Sequence, residues 1–569
     1  MNDISINKSL YPLFNPRSVA VIGATNLWNK WGFSTFSSVL NGFEGQVFPV
    51  NSTEAKVLGR RAYKRVSDIP DDEPVDLAVF VIPAKGVPGV MEDCVEKGVK
   101  AAVIISAGFA EVGEEGKILQ DRVVEIARKG DIRFIGPNCM GYWSASSNLR
   151  AFMFPLPVRE GPIAFVSQGG NVGGTVVQMG FHRGLGFQRY ISCGCAADIQ
   201  IEDYIEHFGN DERVKVILAY IEGLNDGKRF IDKVSKVTMK KPVIVLKPGK
   251  TEAGTVAISS HSGALAGSNE LYDSAFHKAG VIRVNTAELL LDSATGFLTQ
   301  PLPKGRNVAI ITPGGSYGVI SADACASLGL NLIKLSPETI EQFNQIFPPR
   351  WSHGNPVDPA GDRDFIAYLT APEVLLKLNE VDSMIFMGFD SFSTFSAVFA
   401  GINDKLTGTL RKLFGEISAR IPYDSEESDS NDAGWMDKLI RKIIEVFFSF
   451  FGTSDQEGIE RFVEKLITFI HKGRIKGLLE RRLKDVFRAY QVGGEVNVGG
   501  LFEQLFEPLL QVLSLIWIDT YKKPLISTSF MGTASTVTDL NYYAYPFAEN
   551  AALVLAKMVE YREYLDRAD

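Results

Sequence analysis

A chain of 569 residues with 45% apolar and 22% charged side chains has room for three or four domains of ordinary size, each with a buried core. Its formal charge of −8 excludes a general nucleic-acid binder, because phosphate backbones are held by clustered Lys and Arg. The five cysteines are scattered, and the close pair Cys193 and Cys195 has neither a second pair nor a neighbouring histidine, so reduced cytosolic thiols are expected and no metal site.

The first residues, MNDISINKSLYPLFNPRSV, mix acids, amides and prolines among apolar residues and form no signal-peptide core. The most apolar stretches, 444–451 and 509–518, are shorter than the roughly 20 residues of a spanning helix, so a cytoplasmic chain without a transmembrane segment is expected. Short apolar runs at 18–22, 47–50, 77–82, 101–105 and 134–135 alternate with amphipathic segments, the rhythm of a parallel sheet wound with helices over residues 1–150. Ligands of such sheets bind at the carboxyl ends of strands, where Gly23, Asn51, Pro83, Ser106 and the turn Gly136, Pro137, Asn138, Cys139 fall. The turn Gly23, Ala24, Thr25, Asn26 follows the first strand. It suits either a phosphate approached by backbone amides or a tight turn alone, since the G-x-G-x-x-G pattern is incomplete.

A second alternating unit, 151–302, has strands at 163–166, 214–220 and 243–246. Ser167, Gln168, Gly169, Gly170 and Asn171 lead from a strand into a helix, leaving amides and the positive end of the dipole free for a phosphate, although such glycines also serve close helix-sheet packing. Glu222 follows an apolar strand, where a carboxylate is costly without a partner. It suits the orientation of a histidine tautomer, a turn cap or a lysine pair. His261 stands among small residues (Ser259, Ser260, Ser262, Gly263, Ala264) in an expected loop before a helix, reachable as a phosphoryl nucleophile.

A third unit, 303–402 plus 521–569, has strands at 307–311, 331–334, 383–387 and 524–527, the turn Thr312 to Ser316, and a closing helix at 547–565. Between its halves, 403–520 switches to helical periodicity after the polar run 424–432 and reads as a mainly helical insertion.

These motifs in this order resemble the NDP-forming acyl-CoA synthetases, relatives of the succinyl-CoA synthetase α subunit. The resemblance runs through Val19 to Ala24, Phe48 to Asn51, Asp76 to Val79, the stretch GVKAAVIISAGFAEVG from Gly98, Gly136 to Gly141, Ser167 to Gly169, the His261 segment, Thr312 to Gly315 and Gly354 to Asp358. It covers about residues 9–400 and 521–569. It implies an α/β chain: a Rossmann-like CoA-binding domain, then two flavodoxin-like succinyl-CoA-ligase-type domains. CoA would be held by Gly23, Ala24, Thr25, Asn51, Pro83, Ser106, Ala107, Gly108, Asn138 and Cys139. Phosphate would be held by Ser167 to Asn171 and Gly263, with His261 transiently phosphorylated and Glu222 orienting it.

The reaction so implied interconverts acyl-CoA, phosphate and ADP or GDP with carboxylic acid, CoA and ATP or GTP. The magnesium nucleotide would sit on a separate ATP-grasp β subunit of a hetero-oligomer. The alternative is a CoA or acyl-CoA sensor that keeps the fold without turnover. The chain departs from the pattern at Ser52 and Thr53, where relatives carry Pro-Lys, with Lys30 or Lys56 as replacements, in the region Ser192 to Cys195, which lacks the asparagine often found there, and at Phe530 to Thr533, which has lost a second glycine. Trp28, Trp31, Tyr142, Trp143 and Phe152 are candidates for an acyl pocket or for packing.

Overall fold

The computed structural model describes residues 3–262, 268–360, 365–387, 511–529, 535–537 and 542–568, with a few helical positions between 437 and 468. Residues 1–298 with 564–569 form one compact unit and residues 299–563 another.

The first unit holds two sheets. In the first, parallel strands run in the order Gln46–Val50, Ser18–Ile22, Leu77–Phe80, Ala101–Ile104, Arg133–Ile135. Strand order reverses beside Ser18–Ile22, so the crevice of this sheet opens between the Gly23 turn and the turn after Phe80. Gly23 is required there. Its φ is +90°, and a β-carbon on it would lie 2.3 Å from the Val81 carbonyl oxygen.

The second sheet runs Ile282–Val284, Val243–Leu246, Val216–Tyr220, Ile163–Ser167, Phe187–Ser192, then a hairpin of Gly141–Ser144 and Leu149–Phe152 added antiparallel. Its order also reverses, between Ile163–Ser167 and Val216–Tyr220, which brings the Gln168 turn beside Ile221, Glu222 and Gly223. The hairpin corrects the expected boundary at residue 150, because residues 141–152 belong to the second sheet. Gly141 permits this pairing: a β-carbon on it would meet the Ala151 carbonyl oxygen at 1.8 Å.

The helix Asp3–Phe14, absent from the sequence expectation, is held by buried partners. Phe14 lies between the Arg189 guanidinium, 4.6 Å from its ring, and the His207 ring, stacked at 4.9 Å. Burial pushes the His207 imidazole down to about 3, assisted by Arg189. An unfolded imidazole titrates near 6.5, so the unfolded chain binds the extra proton first, and stability falls as pH drops from about 6.5 toward 3. In denaturant melts at pH 7 and pH 5, His207→Phe is expected to lose about 1–2 kcal/mol less than the parent chain. Burial raises the nearby Asp211 carboxyl, but hydrogen bonds from Arg213 and the charge of Arg189 outweigh it and hold the group at about 2, outside this window. Equal losses in both proteins would refute the assignment.

In the second unit the order is Asn331–Leu332, Asn307–Ile311, Ser383–Met387, Leu525–Thr528, Tyr542–Tyr545, Ser535–Val537, the last antiparallel. Ser383–Met387 and Leu525–Thr528 are neighbours, with Met384 opposite Leu525, so one sheet is assembled from both sides of the long intervening segment. Most of 403–520 lies outside the described residues. No described helix is long and apolar enough to cross a membrane.

Candidate functional site

A cavity of about 1070 Å³ in the first unit is walled by the carboxyl ends of both of its sheets. From the first sheet come Ala107, Asn138 and Cys139; from the second come Gln168, Gly169, Gly170, Asn171 and Glu222. These are eight of the residues singled out from sequence, supplied by two sheets far apart in the chain.

The second-sheet wall is the start of the helix Gly170–His182, whose N-cap Gly169 offers no side-chain cap. The first amides of a helix have no intrahelical acceptor, so this end faces the cavity with free donors and the positive end of the dipole. Both glycines sit close to neighbouring side chains. A β-carbon on Gly170 would lie 2.5 Å from the Met140 side chain, and one on Gly169 would lie 2.8 Å from the Tyr220 ring and 3.2 Å from a Glu222 carboxylate oxygen.

Two of the expected phosphate ligands instead build the wall. The buried Ser167 hydroxyl donates to the Gly169 carbonyl at 2.7 Å. The Gln168 amide is spent on the Glu222 segment: its Oε1 accepts from the Glu222 and Gly223 amides, and its Nε2 donates to the Gly223 carbonyl at 2.9 Å. Glu222 is thereby fixed through its backbone while its carboxylate faces the cavity.

The first-sheet residues divide in the same way. Cys139 is buried, its thiol 3.3 Å from the Ile104 carbonyl and pushed up to about 12 by burial, so it shapes the wall without reacting. The Ser106 hydroxyl accepts the Ile82 amide at 3.2 Å, and its carbonyl accepts the Asn138 amide at 2.9 Å. The amide of Gly108 donates to Glu111 at 2.6 Å, so it is already occupied. Pro83 begins the turn opposite Gly23.

At the first turn, Asn51 donates to the Ala24 carbonyl at 2.7 Å and accepts from the Thr53 and Glu54 amides. Glu54, which the sequence reading passed over, takes the Thr25 hydroxyl and the Asn26 amide. The Thr25 hydrogen bond holds its carboxyl below the usual range. The turn thus presents a carboxylate where a phosphate seat is expected, and the Thr25 hydroxyl is engaged by it.

His261 lies in the helix Glu252–Ser262, which corrects the expected loop. Thr251 caps that helix by accepting the Gly254 amide at 3.1 Å, and the small residues that follow carry it on. The side chain of His261, and Gly263 entirely, lie outside the described residues. Lys247, at the end of Val243–Leu246, is buried 4.4 Å from the Tyr272 ring; burial pushes it down to about 8, with Arg283 adding to the effect and Glu222 opposing it.

The aromatic candidates do not gather at the cavity. Trp28 and Trp31 are exposed, whereas Tyr142, Trp143 and Phe152 are core residues, with Trp143 donating to the Phe187 carbonyl at 2.8 Å. Met140, Met153 and Leu224 form its apolar surface.

Residues 17–144 match the CoA binding domain, residues 160–297 the succinyl-CoA ligase like flavodoxin domain, and residues 308–420 the Ligase-CoA domain, which extends past residue 402. The chain is 44% identical over 372 residues to the α subunit of ADP-forming acetate–CoA ligase II of Pyrococcus furiosus, covering 65% of this chain and 80% of that protein. The chain belongs to the family of ADP-forming acyl-CoA ligase α subunits. It is also 32% identical over 496 residues to the ADP-forming 4-hydroxybutyrate–CoA ligase of Nitrosopumilus maritimus, covering 84% of this chain and 71% of that protein. In three dimensions this ligase chain resembles the dinucleotide forming acetyl-coenzyme A synthetase 1 of Ca. Korarchaeum cryptofilum, solved with phosphate and ADP, at a TM-score of 0.67 and 26% identity over 98% of both chains.

Proposed function

We propose that the chain is the acyl- and phosphoryl-transferring subunit of an ADP-forming acyl-CoA synthetase, with His261 as the residue that carries the phosphoryl group. The observation that carries this reading is the cavity: Ala107, Asn138 and Cys139 of the expected CoA residues, the helix start at Gly169 and Gly170, and Glu222 border one space, while Gly23, Ala24, Thr25, Asn51, Pro83, Ser106 and Gly108 lie outside its lining.

A phosphate oxygen attacks the thioester carbonyl, the C–S bond breaks, and CoA leaves with a proton as the acyl phosphate forms. The amides at Gly170 and Asn171 stabilise phosphate charge without reorganising, because the helix fixes them beforehand. The imidazole of His261 then attacks phosphorus through one nitrogen, the bond to the acyl oxygen breaks, and the carboxylate departs. Glu222 accepts a hydrogen bond from the other, proton-bearing nitrogen and offsets the charge the ring acquires. The phosphoryl group passes to ADP, or GDP, held with magnesium on a separate ATP-grasp β subunit, so the working enzyme is a hetero-oligomer. Relatives named for acetate and for 4-hydroxybutyrate leave the acyl group to experiment.

The test is incubation of the chain with acetyl-CoA, 4-hydroxybutyryl-CoA and other acyl-CoAs plus labelled phosphate, with and without the ATP-grasp subunit. An acid-labile, alkali-stable label that ADP discharges only when the partner is present is expected. CoA binding without label from any acyl-CoA would favour the sensor instead.

A further inference from the structure

The helix start at Gly169 and Gly170 has a polar side and an apolar side. A β-carbon on Gly169 would meet the Tyr220 ring and a Glu222 carboxylate oxygen, whereas the nearest atoms to one on Gly170 are Cγ and Sδ of Met140, both at 2.5 Å. Gly174 lies one turn further along the same helix face, and a β-carbon there would stand 3.3 Å from Met140 Cε. The Met140 side chain therefore lies along the first turn of the helix Gly170–His182, buried yet bordering the cavity. Its main chain is pinned on both sides: the amide donates to the Ser192 hydroxyl at 3.0 Å, and the carbonyl accepts the Met153 amide at 3.1 Å.

We infer that Met140 determines acyl-chain specificity: its thioether closes the acyl pocket beside the helix start and restricts the chain to short acyl groups. This rests on the function proposed above.

Two features support it. A thioester carbonyl attacked by a phosphate on the Gly170 and Asn171 amides must approach this helix start, so its substituent passes along one of the two sides. A hydrocarbon substituent is disfavoured beside the Glu222 carboxylate and favoured beside Met140, which shares the cavity with the apolar Met153 and Leu224. Beyond the thioether, the next side chain near a β-carbon on Gly174 is Phe154, with Cζ at 3.7 Å. The space that Met140 fills is thus bounded by the glycine face of the helix and an aromatic ring, so a hydrocarbon chain could occupy it if the thioether were removed.

The experiment measures phosphate-dependent CoA release from acetyl-, propionyl-, butyryl- and pentanoyl-CoA by the full chain with its ATP-grasp subunit and ADP. Parent, Met140→Ala and Met140→Val are compared. Alanine vacates Cγ, Sδ and Cε, room that the three extra methylenes of a pentanoyl group can refill. The ratio of kcat/KM for pentanoyl-CoA to that for acetyl-CoA should therefore rise about thirtyfold over the parent's, roughly threefold for each methylene. Met140→Val vacates less and should raise the same ratio about threefold to tenfold. Should Met140→Ala fail to fold in thermal melts, the Met140→Val ratio decides. Ratios within about twofold of the parent's, or a loss of turnover equal for every acyl group, would overturn the assignment and leave Met140 a support of the helix start. A parent chain that releases CoA from no acyl-CoA would instead sink the function on which it rests.

Discussion

His261→Ala is expected to abolish acid-labile phosphorylation and to lower overall acyl-CoA synthesis by at least roughly 10⁴-fold, the scale on which removal of a covalent nucleophile is felt. Among the described residues no other imidazole is placed to replace it: of histidines 182, 207, 277 and 353, none borders the cavity. His207 is further disqualified by its packing on Phe14. Alanine suits the interior of the helix Glu252–Ser262, so the variant should fold and bind CoA as the parent does. The positive end of the helix Gly170–His182 favours the phosphoryl oxygens. Intact mass after incubation with acetyl-CoA and phosphate checks the result, and an acid-labile adduct persisting in the variant would remove His261 from the mechanism.

The second large effect is expected from Glu222→Ala. Loss of the carboxylate frees both the tautomer and the ring angle of the nucleophile, and phosphorylation should slow by roughly a hundredfold while CoA affinity stays within about threefold. Glu222→Gln, which keeps an acceptor but not the charge, should fall between the two. The backbone braces from Gln168 involve no Glu222 side-chain atom, so neither variant is expected to lose structure. Rapid-quench phosphorylation alongside calorimetric CoA titration separates the two effects; a parallel loss of CoA affinity would make Glu222 a binding group.

The strands were legible because each is a short apolar run ended by a turn residue. Those expected at 243–246, 307–311 and 383–387 form as Val243–Leu246, Asn307–Ile311 and Ser383–Met387. The glycine turns pointed to the cavity for the same reason, since a strand end followed by small residues has few other uses in a parallel sheet. What was not legible depends on partners remote in sequence. Glu54 meets Thr25 and Asn26 across a strand order that only the folded sheet defines. Ser167 and Gln168 turn inward because their acceptors and donors lie on the neighbouring strand end or within the turn itself. The hairpin Gly141–Ser144 and Leu149–Phe152 went unseen because its aromatic residues fit packing and ligand contact equally well.

The adjacency of Ser383–Met387 and Leu525–Thr528 bears on how the chain is made. Because loop-closure entropy rises only logarithmically with length, the finished sheet tolerates a long excursion between these strands at little equilibrium cost. Biosynthesis is less forgiving. After Met387 leaves the ribosome, more than a hundred further residues must follow before Leu525 emerges, on the order of ten seconds at ordinary elongation rates. Throughout that interval the strand of Met384 to Phe386 has an unsatisfied hydrogen-bonding edge and a fully apolar sequence, the combination that recruits other nascent chains. Yield of soluble protein should therefore depend on chaperone supply and on translation speed through this segment, independently of the stability the completed fold attains.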